Sequence, residues 1–262
     1  MCTVSVVQTP TDPPRTRHRD GLLLRVMCNR DEQRSREASV GPVVKRCGTR
    51  LAIMPLDPPS GGTWIGANDA GLIACVLNAN PAAQVAGGKT PSDFRSRGEI
   101  VPRVLACTDL EEAMLAAGNL DPREFPPFRL LIQNAQSRVV IRTDGRVAKH
   151  EEAFAAPAHM MLASSGLGDA FVEPVRGELF AHMFETHPDA MMAQERFHEH
   201  SWPDRPELSV LMSRADARTV SRTSVELYVD TVSVRHARLD ESLCAEIETC
   251  VSLNLTHMRA AA

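Results

Sequence analysis

Through the first third of the chain, short runs of apolar, often β-branched residues alternate with polar positions or stop at clusters of turn-forming residues. Such a period of about two belongs to half-buried strands. Thr3 to Val7 and Leu22 to Cys28 predict two strands, joined into a hairpin by the polar, proline-bearing stretch from Pro10 to Gly21, whose composition suits a solvated loop. Asn29-Arg30-Asp31-Glu32 has no apolar residue and predicts an abrupt end to the second strand, followed by a charged stretch up to Val40. Val43, Val44 and the run Arg50 to Met54 predict another short pair. Pro58, Pro59, Gly61 and Gly62 mark a turn, after which Thr63 to Gly66 and Gly71 to Leu77 predict two strands around a turn at Asn68-Asp69.

The period then changes. Thr108 and Glu111 fit a capping box ahead of the stripe Leu110, Met114 and Leu115, which predicts a helix over 109–117 stopping near Gly118, with an earlier helix over 99–105. Phe128 to Gln133 and Arg138 to Arg142 predict strands, and Phe180 to Phe197 a helix that Pro188 must interrupt. Val225 to Val229 and Thr231 to Arg235 predict late strands, while Leu243 to Val251 is open between helix and strand. No repeat or linker divides the chain, so one domain over 1–262 is expected. Strands, then helices, then strands again predict an α+β layered fold rather than a parallel βαβ sheet.

Composition narrows the function classes. With 43% apolar and 24% charged residues the chain can bury a core, and a formal net charge of -4 without a Lys/Arg stripe speaks against nucleic acid as a partner. Leu22 to Met27, interrupted by Arg25, is too short for a membrane span or a signal segment, so no stable membrane insertion and a cytoplasmic location are expected. The seven cysteines contain no C-x-x-C pair, which argues against a disulfide framework or a zinc knuckle; Cys28, Cys75 and Cys107, set among apolar neighbours, read as small buried hydrophobes. His182, His187, His198 and His200 are spaced so that neither pair shares a helix face, and no metal site is expected. Neither a Walker loop nor a Rossmann fingerprint is present.

Cys2 stands apart. A small residue at position 2 permits removal of Met1, leaving a thiol and a free α-amine on one residue. Ordinary pKa values of about 8.5 for the thiol and about 7.7–8.0 for the amine let the amine accept the thiol proton near neutral pH. The chain continues with Asn29-Arg30-Asp31-Glu32, Gly61-Gly62-Thr63-Trp64-Ile65-Gly66, Gly71-Leu72-Ile73-Ala74-Cys75-Val76-Leu77-Asn78, Ser96-Arg97-Gly98, Phe128-Arg129-Leu130-Leu131, Leu162-Ala163-Ser164-Ser165 and Ser221-Arg222-Thr223-Ser224. This series resembles the NRDE family, which includes the transport and Golgi organisation protein 2 of eukaryotes, and more distantly the choloylglycine hydrolases and penicillin acylases that begin with cysteine.

The resemblance implies a four-layer αββα N-terminal-nucleophile hydrolase-like sandwich of two antiparallel sheets. It implies a site of Cys2 as nucleophile, Arg30 and Asp31 beside the second strand, Asn29 nearby, Asn78 as oxyanion donor and Arg222 as a late arginine, with Ser164 and Ser165 where the acylases place a second oxyanion- or amine-binding asparagine. Two departures matter. Arg30 and Asp31 are adjacent, so a regular strand turns them to opposite faces and one of them serves structure. Ser164-Ser165 replaces the Ser-Asn of relatives. Read without the family, Asn29 and Asp31 form an Asx turn, Arg30 and Glu32 a solvated pair, and Asn78 a loop residue before Pro81. Two functions from different classes follow. One is an amidohydrolase working through a Cys2 thioester on a small molecule, with no external cofactor, in which Asp31 orients the amine and Arg30 or Arg222 lowers the thiol pKa. The other is a non-catalytic binding or trafficking protein for haem or an amphipathic acyl-lipid ligand.

Overall fold

The structure is a computed structural model that describes residues 2–9, 21–80, 94–154 and 158–256. One sheet is built from β1 (Cys2–Gln8), β2 (Leu22–Gln33), β10 (His159–Ala163), β11 (Ala217–Tyr228), β12 (Thr231–Leu239) and β13 (Ala245–Asn254), in the order β10-β1-β2-β11-β12-β13. The other runs in chain order through β3 (Val40–Cys47), β4 (Arg50–Leu56), β5 (Ile65–Asn68), β6 (Ile73–Asn78), β7 (Phe128–Gln133), β8 (Ser137–Thr143) and β9 (Ala148–Phe154). Every pairing is antiparallel. Helices α1 (Ile100–Val104) and α2 (Leu110–Gly118) cover the seven-stranded sheet, while α3 (Asp169–Thr186) and α4 (Ala190–Glu199) cover β10, β1 and β2 of the six-stranded one. This is the αββα sandwich expected from the sequence.

Both faces of the central strands are covered, so their inward residues form the main core. Val4, Val6, Leu24, Val26 and Cys28 from the first sheet pack with Ile53, Ile65, Cys75, Leu77 and Leu131 from the second. Burying each Val, Leu or Ile side chain contributes about 1.5–3 kcal/mol.

β2 does not stop at Cys28. It runs through the polar tetrad to Gln33 because both neighbours continue beside it: Cys2 pairs with Arg30 on one side, and Thr219 and Ser221 pair with Asp31 and Arg30 on the other. The backbone is thus satisfied by ladders, and the tetrad's side chains find buried partners rather than water. The helical stretch expected over 180–197, with its interruption at Pro188, is two helices, the first of which begins earlier than expected. α3 starts at Asp169 and accommodates Pro174, whereas α4 starts at Ala190 under Asp189, whose carboxylate accepts from the N–H of Met191 at 2.8 Å. The break between them spans His187 to Asp189 and is centred on Pro188, as expected. In α2 the N-cap is Asp109 rather than Thr108; Asp109 Oδ1 accepts from Glu112 N at 2.9 Å and Glu112 reaches back to Thr108 N at 2.7 Å, so the reciprocal cap sits one residue later. The open segment near 243–251 is strand β13. Most of the hairpin tip between β1 and β2 lies outside the described residues.

Candidate active site

Strand alternation fixes what Cys2 meets. In β1, Cys2, Val4 and Val6 turn toward the second sheet, while Thr3 and Ser5 turn toward α3 and α4, where they bond Arg176 and His198. Cys2 is buried among neighbouring protein atoms yet lines a cavity of about 620 Å³ together with Arg30, Trp64, Asn78, Phe94 and Arg97. Its backbone N donates to Ser164 Oγ at 3.0 Å, and Ser164 N donates to Cys2 O at 2.8 Å. Ser164, just beyond β10, therefore grips the head of β1 from both sides. Ser165 faces elsewhere: its N donates to Asp169 Oδ1 at 2.9 Å and its Oγ accepts from Leu167 N at 3.2 Å, which shapes the turn into α3.

The tetrad divides by the same alternation. Arg30, directly opposite Cys2, lies with its Nη2 2.8 Å from Asp57 Oδ1 and 3.3 Å from Glu32, and its guanidinium sits 4.6 Å from the centre of the Trp64 ring. Asn29 and Asp31 point to the helical layer. Asn29 Nδ2 donates to the carbonyls of His198 at 2.8 Å and Val210 at 3.0 Å. Asp31 accepts from Thr219 Oγ1 at 2.7 Å and lies 3.8 Å from Arg176, a fully buried side chain of α3 that also donates to Ser209 O at 2.6 Å and Leu208 O at 3.1 Å. Asn29 and Asp31 thus tie β2 to the chain that covers it.

Arg222 does not join Cys2. It stands opposite Asn29 on β11, so it faces α4 and bonds Glu199 at 2.9 Å. The residue of β11 that faces the site side of Arg30 is its cross-strand partner Ser221, whose buried Oγ has no partner among the described residues. Asn78, at the end of β6, does line the cavity with Cys2. The structure therefore brings together Cys2, Arg30, Asn78 and Ser164, and separates from them the side chains of Asn29, Ser165 and Arg222; Asp31 points away but its charge still reaches the Cys2 thiol.

The electrostatics correct a second expectation. The Cys28 thiol beside it, then burial, raise the Cys2 thiol well above its ordinary range; the positive amino terminus of the chain opposes this and the Asp31 carboxylate adds to it. Arg30, ion-paired to Asp57 and Glu32, is not among the groups that lower the thiol. Cys28, whose Sγ donates to Asn29 O at 3.7 Å, is itself raised by the Cys75 thiol and by burial, so two cysteines read as inert fillers shape the electrostatics behind the candidate nucleophile. Arg176 escaped the sequence reading as well. Its signal is the stripe Val172, Arg176 and Phe180, four residues apart, which forms the buried face of α3 and marks an arginine at a core position. Among the described residues no group of three or more His, Cys, Asp or Glu is arranged to hold a metal, and no helix is long and apolar enough to cross a membrane.

A strand headed by cysteine, opening on a cleft between two antiparallel sheets that are clasped by helices, defines the N-terminal-nucleophile hydrolase class of fold, and solved structures agree. The N-acylethanolamine-hydrolyzing acid amidase ortholog of Caenorhabditis elegans superposes with a TM-score of 0.54 at 15% identity, covering 85% of this chain and 92% of its own. Two substituted forms of the conjugated bile acid hydrolase of Clostridium perfringens superpose as well. One, in which alanine replaces a cysteine, gives 0.52 at 11% identity with 96% of each chain covered; the other, in which leucine replaces an arginine, gives 0.53 at 13% with 99% of this chain and 100% of its own. At such identities the likeness establishes the fold. The chain belongs to the Transport and Golgi organisation 2 family, whose sequence model matches residues 1–225. No curated protein sequence matches it significantly.

Proposed function

We propose that this chain is an N-terminal-nucleophile amidohydrolase that acts on a small-molecule amide through Cys2. The observation that carries the reading is the pairing at the head of β1: the Cys2 side chain lines the cavity while its backbone nitrogen, the future α-amine, is held 3.0 Å from Ser164 Oγ. Removal of Met1 turns that nitrogen into a base attached to its own nucleophile. Because the thiol is raised, its proton passes to the amine as the sulfur attacks rather than beforehand. The amine takes the thiol proton as Sγ bonds to the substrate carbonyl carbon. Asn78 donates to the oxygen that becomes negative, and the C–N bond breaks as the ammonium returns the proton to the leaving amine. Water then cleaves the thioester with the same amine as base, releasing the acid and regenerating the thiol.

Ser164 positions the amine in this scheme, and Asp31, reaching the site through its field, favours the ammonium that forms in the transition state. Trp64, Val76, Phe94 and Pro126 give the cavity an apolar side for an acyl chain. The test is steady-state hydrolysis of an N-acyl amide panel. Cys2→Ala is expected to abolish turnover, and Asn78→Ala to lower kcat by about 100- to 1000-fold with KM nearly unchanged, the usual effect of removing one oxyanion donor. Full activity in Cys2→Ala contradicts the reading.

A further inference from the structure

The cavity holds four described arginines, Arg30, Arg36, Arg95 and Arg97, and three of them are ion-paired. Arg30 and Arg36 share Asp57 at 2.8 and 2.6 Å, with Glu32 beside both, and Arg95 is paired to Glu99 and Glu124. Arg97 differs. Its Nη1 donates to the Pro127 carbonyl at 2.9 Å, but no carboxylate among the described residues forms an ion pair with it. It is half-buried, and that burial lowers its pKa, while the nearby Cys2 and Glu32 act in the opposite direction.

The chain goes to some length to hold this side chain in place. Arg97 begins a single 3-10 turn, Arg97–Glu99, capped by Ser96, whose Oγ accepts from Gly98 N at 3.2 Å. That turn rests backbone to backbone on the Gly61-Gly62-Thr63 turn, with Thr63 N donating to Gly98 O at 3.1 Å. A Cβ on Gly62 would lie 2.7 Å from the Gly98 backbone, so the contact requires glycine. Two sequence features that the catalytic scheme does not use, Gly61-Gly62-Thr63 and Ser96-Arg97-Gly98, thus form one brace. Its product is a fixed guanidinium in the wall shared with the nucleophile.

A half-buried guanidinium with no ion-paired carboxylate among the described residues, beside an apolar wall and Cys2, suits an anionic oxygen group supplied from outside. We infer that Arg97 is the anion-binding residue of the substrate cavity, so that the preferred ligand is an acyl amide carrying a carboxylate or phosphate rather than a neutral one. The word substrate rests on the reading of Cys2 as nucleophile; the subsite itself does not.

Binding without turnover separates the two. Titration calorimetry on Cys2→Ala protein would compare N-decanoylglycine, N-decanoylethanolamine and the phosphate ester of the latter. The expected result is that at least one anionic ligand binds about 10- to 100-fold more tightly than the neutral one, as a charge-assisted hydrogen bond allows. Adding Arg97→Gln should erase that difference, and Arg97→Lys should restore part of it. Which anion binds better distinguishes a carboxylate from a phosphate subsite. Equal or tighter binding of the neutral ligand, a preference that survives Arg97→Gln, or no binding of either anion overturns the inference. Anion preference in Cys2→Ala protein, together with no hydrolysis in the unsubstituted chain, leaves the subsite standing and removes the catalytic reading.

Discussion

Cys2 and His236 show how single residues in this fold are set by what surrounds them. The Cys28 thiol and burial push the Cys2 thiol up, so in the proposed reaction the thiol needs the α-amine as its base. His236, behind Trp64 at a ring separation of 5.8 Å, is bonded through Nδ1 to Thr223 and through Nε2 to Ser39, and burial first, then Arg30 and Arg238, lower its pKa from 6.5 to about 4. The depressed pKa has a definite sign. Between pH 6.5 and about 4 the unfolded chain binds a proton that the folded chain refuses, so stability present above pH 6.5 is lost as the pH falls toward 4. The full shift corresponds to roughly 3 kcal/mol. Urea denaturation at pH 7 and pH 4.5 is therefore expected to show a steeper acid loss in the unsubstituted protein than in His236→Gln. Equal losses contradict this placement of His236.

At the scale of elements, the turn before β5 and the 3-10 turn before α1 behave as one unit. Gly61 adopts φ +64°, a region that glycine enters without strain, and Gly62 meets the Gly98 backbone. Gly62→Ala must push the two turns apart. It is expected to cost about 1–3 kcal/mol in urea unfolding, the usual range for overpacking, and to weaken anion preference in the calorimetric comparison even with Arg97 intact. Unchanged stability and preference would show that the brace is not needed. Strand β2 makes a related point. Its outward polar residues Arg25, Asn29 and Asp31 each bond chain that covers the sheet, Arg25 through Gln194 at 2.7 Å, so what looks like a loop by composition is a buried strand bolted to its cover.

Across the whole molecule, strands with clean alternation, such as β1 and β12, and short continuous apolar runs, such as β6 and β7, were legible, as was the layered αββα architecture through its family motifs. The tetrad was not, because polar residues read locally as an exit to solvent, and only β1, β11 and the helices reveal that they are satisfied inside. The early half of α3 was hidden by Pro174 and Gly177, and the short β10 by its proximity to helical sequence. Within the site, the placements of Cys2 and Asn78 in one cavity were readable from motif order, whereas Arg222 depended on register: one residue along β11 turns a side chain from one sheet face to the other. Cys28 and Arg97 could not be read from spacing, since each acquires its setting from a neighbouring strand or turn distant in sequence.

The central claim is that residue 2 becomes both the first residue and the site of a covalent acyl intermediate. Mass spectrometry of the protein and its N-terminal peptide, after brief incubation with p-nitrophenyl decanoate at neutral pH and acid quenching, tests it most directly. The expected result is that Met1 is absent and that a decanoyl adduct forms on the Cys2 sulfur, disappears with time and is missing in Cys2→Ala. Quantitative retention of Met1, or turnover of the ester with no adduct on Cys2, contradicts it.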